Sequence, residues 1–125
     1  MLILLVLNPI FAVSRVDPNI PIPEWAVKGD FFSITKTKEE LSIVCEEENI
    51  PTDIQAERGW LALKVEGPLD FSLTGILSSL LTPLARASIS IFALSTYDTD
   101  YLFVKKDNFE KDLSILGQFC KILRR

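Results

Sequence analysis

Apolar and polar positions along the chain predict a mixture of short strands and three helices. Leu2 to Leu7 and Phe11 to Val16 are apolar runs on either side of Asn8-Pro9, a pattern that predicts a hairpin. Asp17 to Pro23 carries Pro18, Pro21 and Pro23 and predicts an ordered connector, since prolines at that density suit neither a helix nor a central strand. Phe31 to Thr35 reads as a strand. Thr37 followed by Glu40 has the spacing of a capping box and predicts a helix over Lys38 to Glu48, with Leu41, Val44 and Cys45 on one face and Asn49 and Pro51 ending it. Ile54 to Glu57 predicts a short strand, Arg58-Gly59 a turn, and Trp60 to Val65 an alternating strand broken by Gly67-Pro68. Leu73, Ile76, Leu77, Leu80, Leu81 and Leu84 recur at helical spacing, so a helix is expected from Ser72 to about Ala87, with Pro83 kinking it or loosening its last turn. Strands follow at Ser88 to Leu94 and Thr99 to Lys105. A terminal helix is expected over Asn108 to Leu123, facing inward through Phe109, Leu113, Leu116 and Cys120.

From Trp60 onward the predicted order is β-α-β-β-α, a ferredoxin-like unit without its last strand. The strand, turn and helix expected over Phe31 to Val44 echo those over Leu61 to Ile76. The fold class is therefore α+β: two ferredoxin-like units in tandem, antiparallel sheets with helices packed on one face. Residues 1–59 form the N-terminal half and residues 60–125 the C-terminal half. No linker-like segment separates them, so one compact body is expected.

Composition narrows the chemistry. The 125 residues carry a net charge of −4 and no basic stripe, which argues against nucleic-acid binding. There is no histidine, which removes the commonest general base and zinc ligand. Cys45 and Cys120 stand far apart with no metal-binding spacing and are expected to be reduced and buried. The run Met1 to Leu7 lacks a basic flank and falls well short of the roughly 20 residues a membrane helix needs, so no membrane span and a cytoplasmic location are expected. Glu46 to Glu48 reads as a solvated charge run. No catalytic residue, metal site or cofactor is expected. Ser95 and Thr96 lack a histidine to activate them, and Asp98 with Asp100 lack a third acidic neighbour to hold a metal.

Several phrases carry a family resemblance: Phe32-Ser33-Ile34-Thr35-Lys36-Thr37, Gly67-Pro68-Leu69-Asp70-Phe71, Thr74-Gly75-Ile76-Leu77, Pro83-Leu84-Ala85 and Ser95-Thr96-Tyr97-Asp98-Thr99-Asp100. With them the chain resembles small tandem ACT-domain proteins and is similar to the cytosolic arginine sensor family of the TOR pathway. The resemblance implies a regulatory, ligand-sensing role rather than catalysis, with a small-molecule amino acid as ligand. It implies that the ligand lies between two ACT units. One unit supplies the turn leading into the helix, here Asp70, Phe71, Leu73, Gly75, Ile76 and Leu77, together with the polar turn Thr96, Tyr97 and Asp100. The other supplies an exposed strand edge, here Ser90 and Ile91. The sensors have an acid where this chain has Leu73, which implies a neutral or apolar amino acid in place of arginine. They also hold two copies in one chain, so a homodimer is implied here, with the ligand between C-terminal halves of two subunits.

The residues themselves offer partial support. A helix N-terminus suits an α-carboxylate, and an aspartate such as Asp100 suits an α-ammonium. Gly75 serves either close ligand approach or close helix–sheet packing. Asp98 and Asp100 also suit a turn that needs local hydrogen bonds. The alternative is a protein-interaction module with a vestigial ligand site, its partner unknown.

Overall fold

The computed structural model describes residues 2–66 and 75–124, apart from the side chains of Ile76 and Leu77. The strands are β1 (Leu2–Val16), β2 (Ser33–Lys36), β3 (Leu41–Glu46), β4 (Ala56–Val65), β5 (Ile91–Ser95), β6 (Asp100–Lys105) and β7 (Cys120–Arg124). The helices are α1 (Ile76–Arg86) and α2 (Phe109–Leu116). The chain divides into two compact units, Met1–Asn8 with Leu61–Arg125, and Pro9–Trp60. The first eight residues thus belong with the C-terminal stretch, whereas the sequence pattern grouped residues 1–59.

In the first unit the strand neighbours run β7, β1, β4, β6, β5. The β4-α1-β5-β6-α2-β7 order is a complete ferredoxin-like βαββαβ set. The strand that the sequence pattern left out is β7, which pairs in parallel with the start of β1, Leu2 opposite Cys120 and Val6 opposite Arg124. The terminal helix expected over Asn108 to Leu123 ends at Leu116 instead. Leu116 and Cys120 are four apart and imitate a helical face, but beyond Gly117 burial follows a period of two: Cys120 is buried, Lys121 exposed and Ile122 half-buried. The core of this unit joins Leu4 and Val6 of β1, Leu63 and Val65 of β4, Leu80 and Leu84 of α1, Leu102 and Val104 of β6, and Phe109 and Leu116 of α2. Helix α1 presents Leu80 and Leu84 to it, one turn apart, while Ser78, Ser79 and Thr82 face solvent.

Pro83 lies within α1 without breaking it, and Ala87 N–H is shared between Pro83 O at 3.3 Å and Leu84 O. The final bonds tighten to the i−3 type, Ala87 N–H to Leu84 O at 3.1 Å and Ser88 N–H to Ala85 O at 3.0 Å. Ser88 takes φ +59°, and Ile89 N–H reaches back to Leu84 O at 3.1 Å. This is a Schellman closure with serine in the left-handed position usually held by glycine. It delivers the chain directly into Ser90 and β5.

In the second unit the neighbours are β2, β3, the later part of β1 and the start of β4. Its core is Ala12, Ala26, Leu41, Ile43, Cys45 and Ile50. The helix expected over Lys38 to Glu48 is absent, and β3 takes its place, antiparallel to β1 and β2. Leu41, Val44 and Cys45 fit a helical stripe, yet Leu41, Ile43 and Cys45 also fit a strand, and adjacent β-branched Ile43 and Val44 favour the strand. The capping-box residue does form its side-chain bonds: Thr37 Oγ1 accepts the N–H groups of Glu39 and Glu40, both at 3.2 Å. Those bonds close a β2–β3 hairpin turn, with Thr37 N–H to Glu40 O at 2.9 Å, instead of starting a helix.

Two expected turns also disappear into strands. Asn8-Pro9 lies within the continuous β1, since the fixed φ of proline is compatible with extended backbone. Arg58-Gly59 lies within β4, where Gly59 takes φ +82°. Its N–H donates to Glu47 Oε1 at 2.8 Å, and Arg58 Nη2 donates to Pro51 O at 3.2 Å. Burial raises the thiol pKa of both cysteines, Cys45 to about 11, so both stay protonated.

Candidate functional site

The polar turn is built from the β5–β6 hairpin. These strands pair antiparallel from Ile91 opposite Val104 to Ser95 opposite Asp100, and Thr96 to Thr99 close the loop. Thr96 N–H donates to Thr99 O at 2.8 Å, Thr96 Oγ1 donates to the same oxygen at 3.1 Å, and Thr99 N–H donates to Thr96 Oγ1 at 3.2 Å. Ser95 Oγ donates to Asp100 Oδ1 at 2.5 Å, which fixes one carboxylate oxygen of the half-buried Asp100. Tyr97 projects from the tip and is 82% exposed.

Thr99 is the buried member of this turn, and its hydroxyl donates to the carbonyl of Val65. Val65 is the last residue of β4. One side chain therefore fastens the polar turn to the point where the chain leaves the sheet toward residues 67–74 and α1. Sequence reasoning missed this role, because a threonine between two aspartates in a turn looks like ordinary loop chemistry. Thr99→Val is expected to lower stability by about 1–2 kcal/mol, since it leaves a buried carbonyl unpaired. Thr99→Ser is expected to recover most of that loss in urea denaturation.

Gly75 is the N-cap of α1, with φ +78°. A Cβ at this position would meet nothing within 4 Å among the described residues. Close packing therefore does not require the glycine; the left-handed backbone does. Gly75 makes no side-chain cap and the first turn of α1 carries no acid, so among the described residues no cap bond to the N–H groups at its start is seen. Ile76 and Leu77 lie in that first turn. Asp70, Phe71 and Leu73 lie outside the described residues.

Ser90 and Ile91 are placed differently. Strand β5 pairs with β6 alone, which makes it the edge of its unit, with Ser90 exposed and Ile91 half-buried at its start. They lie at the opposite end of the hairpin from Thr96 to Asp100. At roughly 3.4 Å per residue, about 14 Å of strand separates the two groups within one copy. Among the described residues no cluster of acids and cysteines is arranged to hold a metal.

The βαββαβ order defines the class, an α+β fold of ferredoxin-like type. A sequence model described as "ACT domain" matches residues 55–118, and the chain belongs to that family. A second model, described as an N-terminal domain, matches residues 9–53. Among curated relatives, the cytosolic arginine sensor for mTORC1 subunit 1 of Bos taurus is 35% identical over 69% of this chain, which spans 28% of that protein. The putative human protein CASTOR3P is 40% identical over 61% of this chain and 55% of its own length. A crystal structure of an Agobacterium tumefaciens protein is 38% identical, with a TM-score of 0.93, covering 99% of this chain and 93% of that one. The aspartate kinase of Clostridium acetobutylicum, 12% identical with a TM-score of 0.64 over 92% of this chain and 34% of its own, shares the fold.

Proposed function

We propose that this chain is a regulatory protein of the ACT type that senses an amino acid, working in the cytoplasm as a homodimer without catalysing a reaction. The ligand lies between the C-terminal units of two copies. Its α-carboxylate meets the uncapped N-terminus of α1, and its α-ammonium meets Asp100. Thr96 and Tyr97 border the side chain, and Asp70, Phe71, Leu73, Gly75, Ile76 and Leu77 supply the remaining contacts. Ser90 and Ile91 of the second copy close the site through the free edge of β5. Leu73 in place of an acid favours a neutral or apolar amino acid.

The observation that carries this reading is the Thr99 hydroxyl on Val65 O, which holds the polar turn at the end of β4. The family and the names of the curated relatives support an amino acid as the ligand class. A thermal-shift screen of the twenty amino acids against the dimeric protein tests it. Selective stabilisation by one neutral or apolar amino acid is the expected result. No stabilisation by any of them in well-folded dimer would leave the interaction-module alternative, with the exposed Tyr97 as its contact.

A further inference from the structure

We propose that Asp112 makes helix α2 a proton-controlled latch on the core of its unit, shut while the carboxyl is neutral and loosened when it ionises. Phe109, Asp112 and Leu116 share one face of α2, and all three are buried. Asp112 is 0% exposed, and neither carboxylate oxygen has a hydrogen-bond partner among the described residues. A charged carboxylate is costly in such surroundings, so the neutral form is the one that fits.

Among the described residues, no charged side chain of the elements packed against α2 is buried. Helix α2 packs against α1, β6, β7 and the short 3-10 turn Lys106–Asn108. The core-facing residues of the first three are Leu80 and Leu84, Leu102 and Val104, and Cys120 with Ile122. Cys120 is the titratable group among them, and burial keeps its thiol protonated. The charged residues of these elements are all at least partly exposed: Arg86 on α1, Asp100 and Lys105 on β6, Lys106 and Asp107 in the turn, and Lys121 and Arg124 on β7. Arg124 is engaged by Glu110 at 3.2 Å and lies over the Phe109 ring. Burial pushes the Asp112 carboxyl up to about 6, with neighbouring Lys111 pulling weakly the other way. The stability tied to the neutral group is thus fully present below about pH 4, the unfolded carboxyl range, and is lost as pH rises through about 6. Helix α2 joins β6, which begins at Asp100, to β7, so loosening it acts on the unit that carries the candidate site.

Two measurements on the full chain test the latch: a carbon-13 NMR titration of the Asp112 carboxyl, and hydrogen exchange of the α2 amides between pH 5 and 8, corrected for intrinsic rates. The carboxyl should titrate near 6. Protection of α2 should fall by roughly 10-fold between pH 5 and pH 8, and Asp112→Asn should abolish that dependence. A carboxyl titrating near 4 would overturn the proposal. So would wild-type α2 protection that stays flat with pH, or that runs parallel to the protection of Asp112→Asn. The two wild-type readings decide the matter alone if the variant does not fold.

Discussion

Leu84→Ala is expected to lower the unfolding free energy by about 3–5 kcal/mol, enough to leave a domain of this size barely folded. Leu84 is fully buried where α1 meets the sheet, in one cluster with Leu63, Val65, Leu102 and Leu116. Truncation removes its transfer energy and leaves a cavity that the sheet cannot collapse into, because Leu63 and Leu102 are fixed by their strands. Leu84 has a second duty at the helix end, where its carbonyl accepts the N–H groups of Ala87 and Ile89. Those backbone bonds survive the substitution, so Leu84→Met, which keeps most of the volume, should cost under about 1.5 kcal/mol. Urea denaturation of the two variants separates a packing loss from a failure of the helix terminus.

Asp100→Ala is expected to weaken binding of the amino acid found by the screen by roughly 10- to 100-fold, the range for losing one charge-assisted hydrogen bond at about 2 kcal/mol. The carboxylate has one oxygen held by Ser95 Oγ, which leaves the other to face an α-ammonium. Asp100→Asn keeps the shape and an acceptor but removes the charge, and is expected to fall between wild type and alanine. Ser95→Ala should have a smaller effect, through loss of orientation alone. Titration calorimetry on all three gives the ordering. Equal affinities for wild type and Asp100→Ala would remove Asp100 from the site.

The C-terminal half was legible where one periodicity dominated. Leu80 and Leu84 at helical spacing marked α1, and the apolar runs after Ser88 and Thr99 marked β5 and β6. Legibility failed where two periods fit the same residues. Leu41 to Cys45 satisfies both a helix and a strand, and the Thr37 bonds that cap helices also close hairpins. Leu116 and Cys120 misled in the same way, which hid β7. At the candidate site the polar turn could be read from the chain, while the edge position of Ser90 came from the family resemblance. The Thr99 bond to Val65 could not, since it joins residues 34 apart in sequence. Asp112 left a faint signal, an acid three residues after Phe109 and four before Leu116 on the inward stripe, but nothing local distinguishes it from a solvated charge.

The claim that two copies share one site is tested most directly by subunit complementation. Asp100→Ala alters the polar-turn half of the site and Ile91→Asp the strand-edge half, so each variant alone should bind the amino acid poorly. Equal amounts of the two, dissociated and reassociated together, should recover about a quarter of the wild-type binding sites at wild-type affinity, because random pairing makes about half the dimers mixed and each mixed dimer holds one intact site. Mixed dimers that recover no high-affinity binding would contradict the account, as would tight binding by a monomeric form of the wild-type chain.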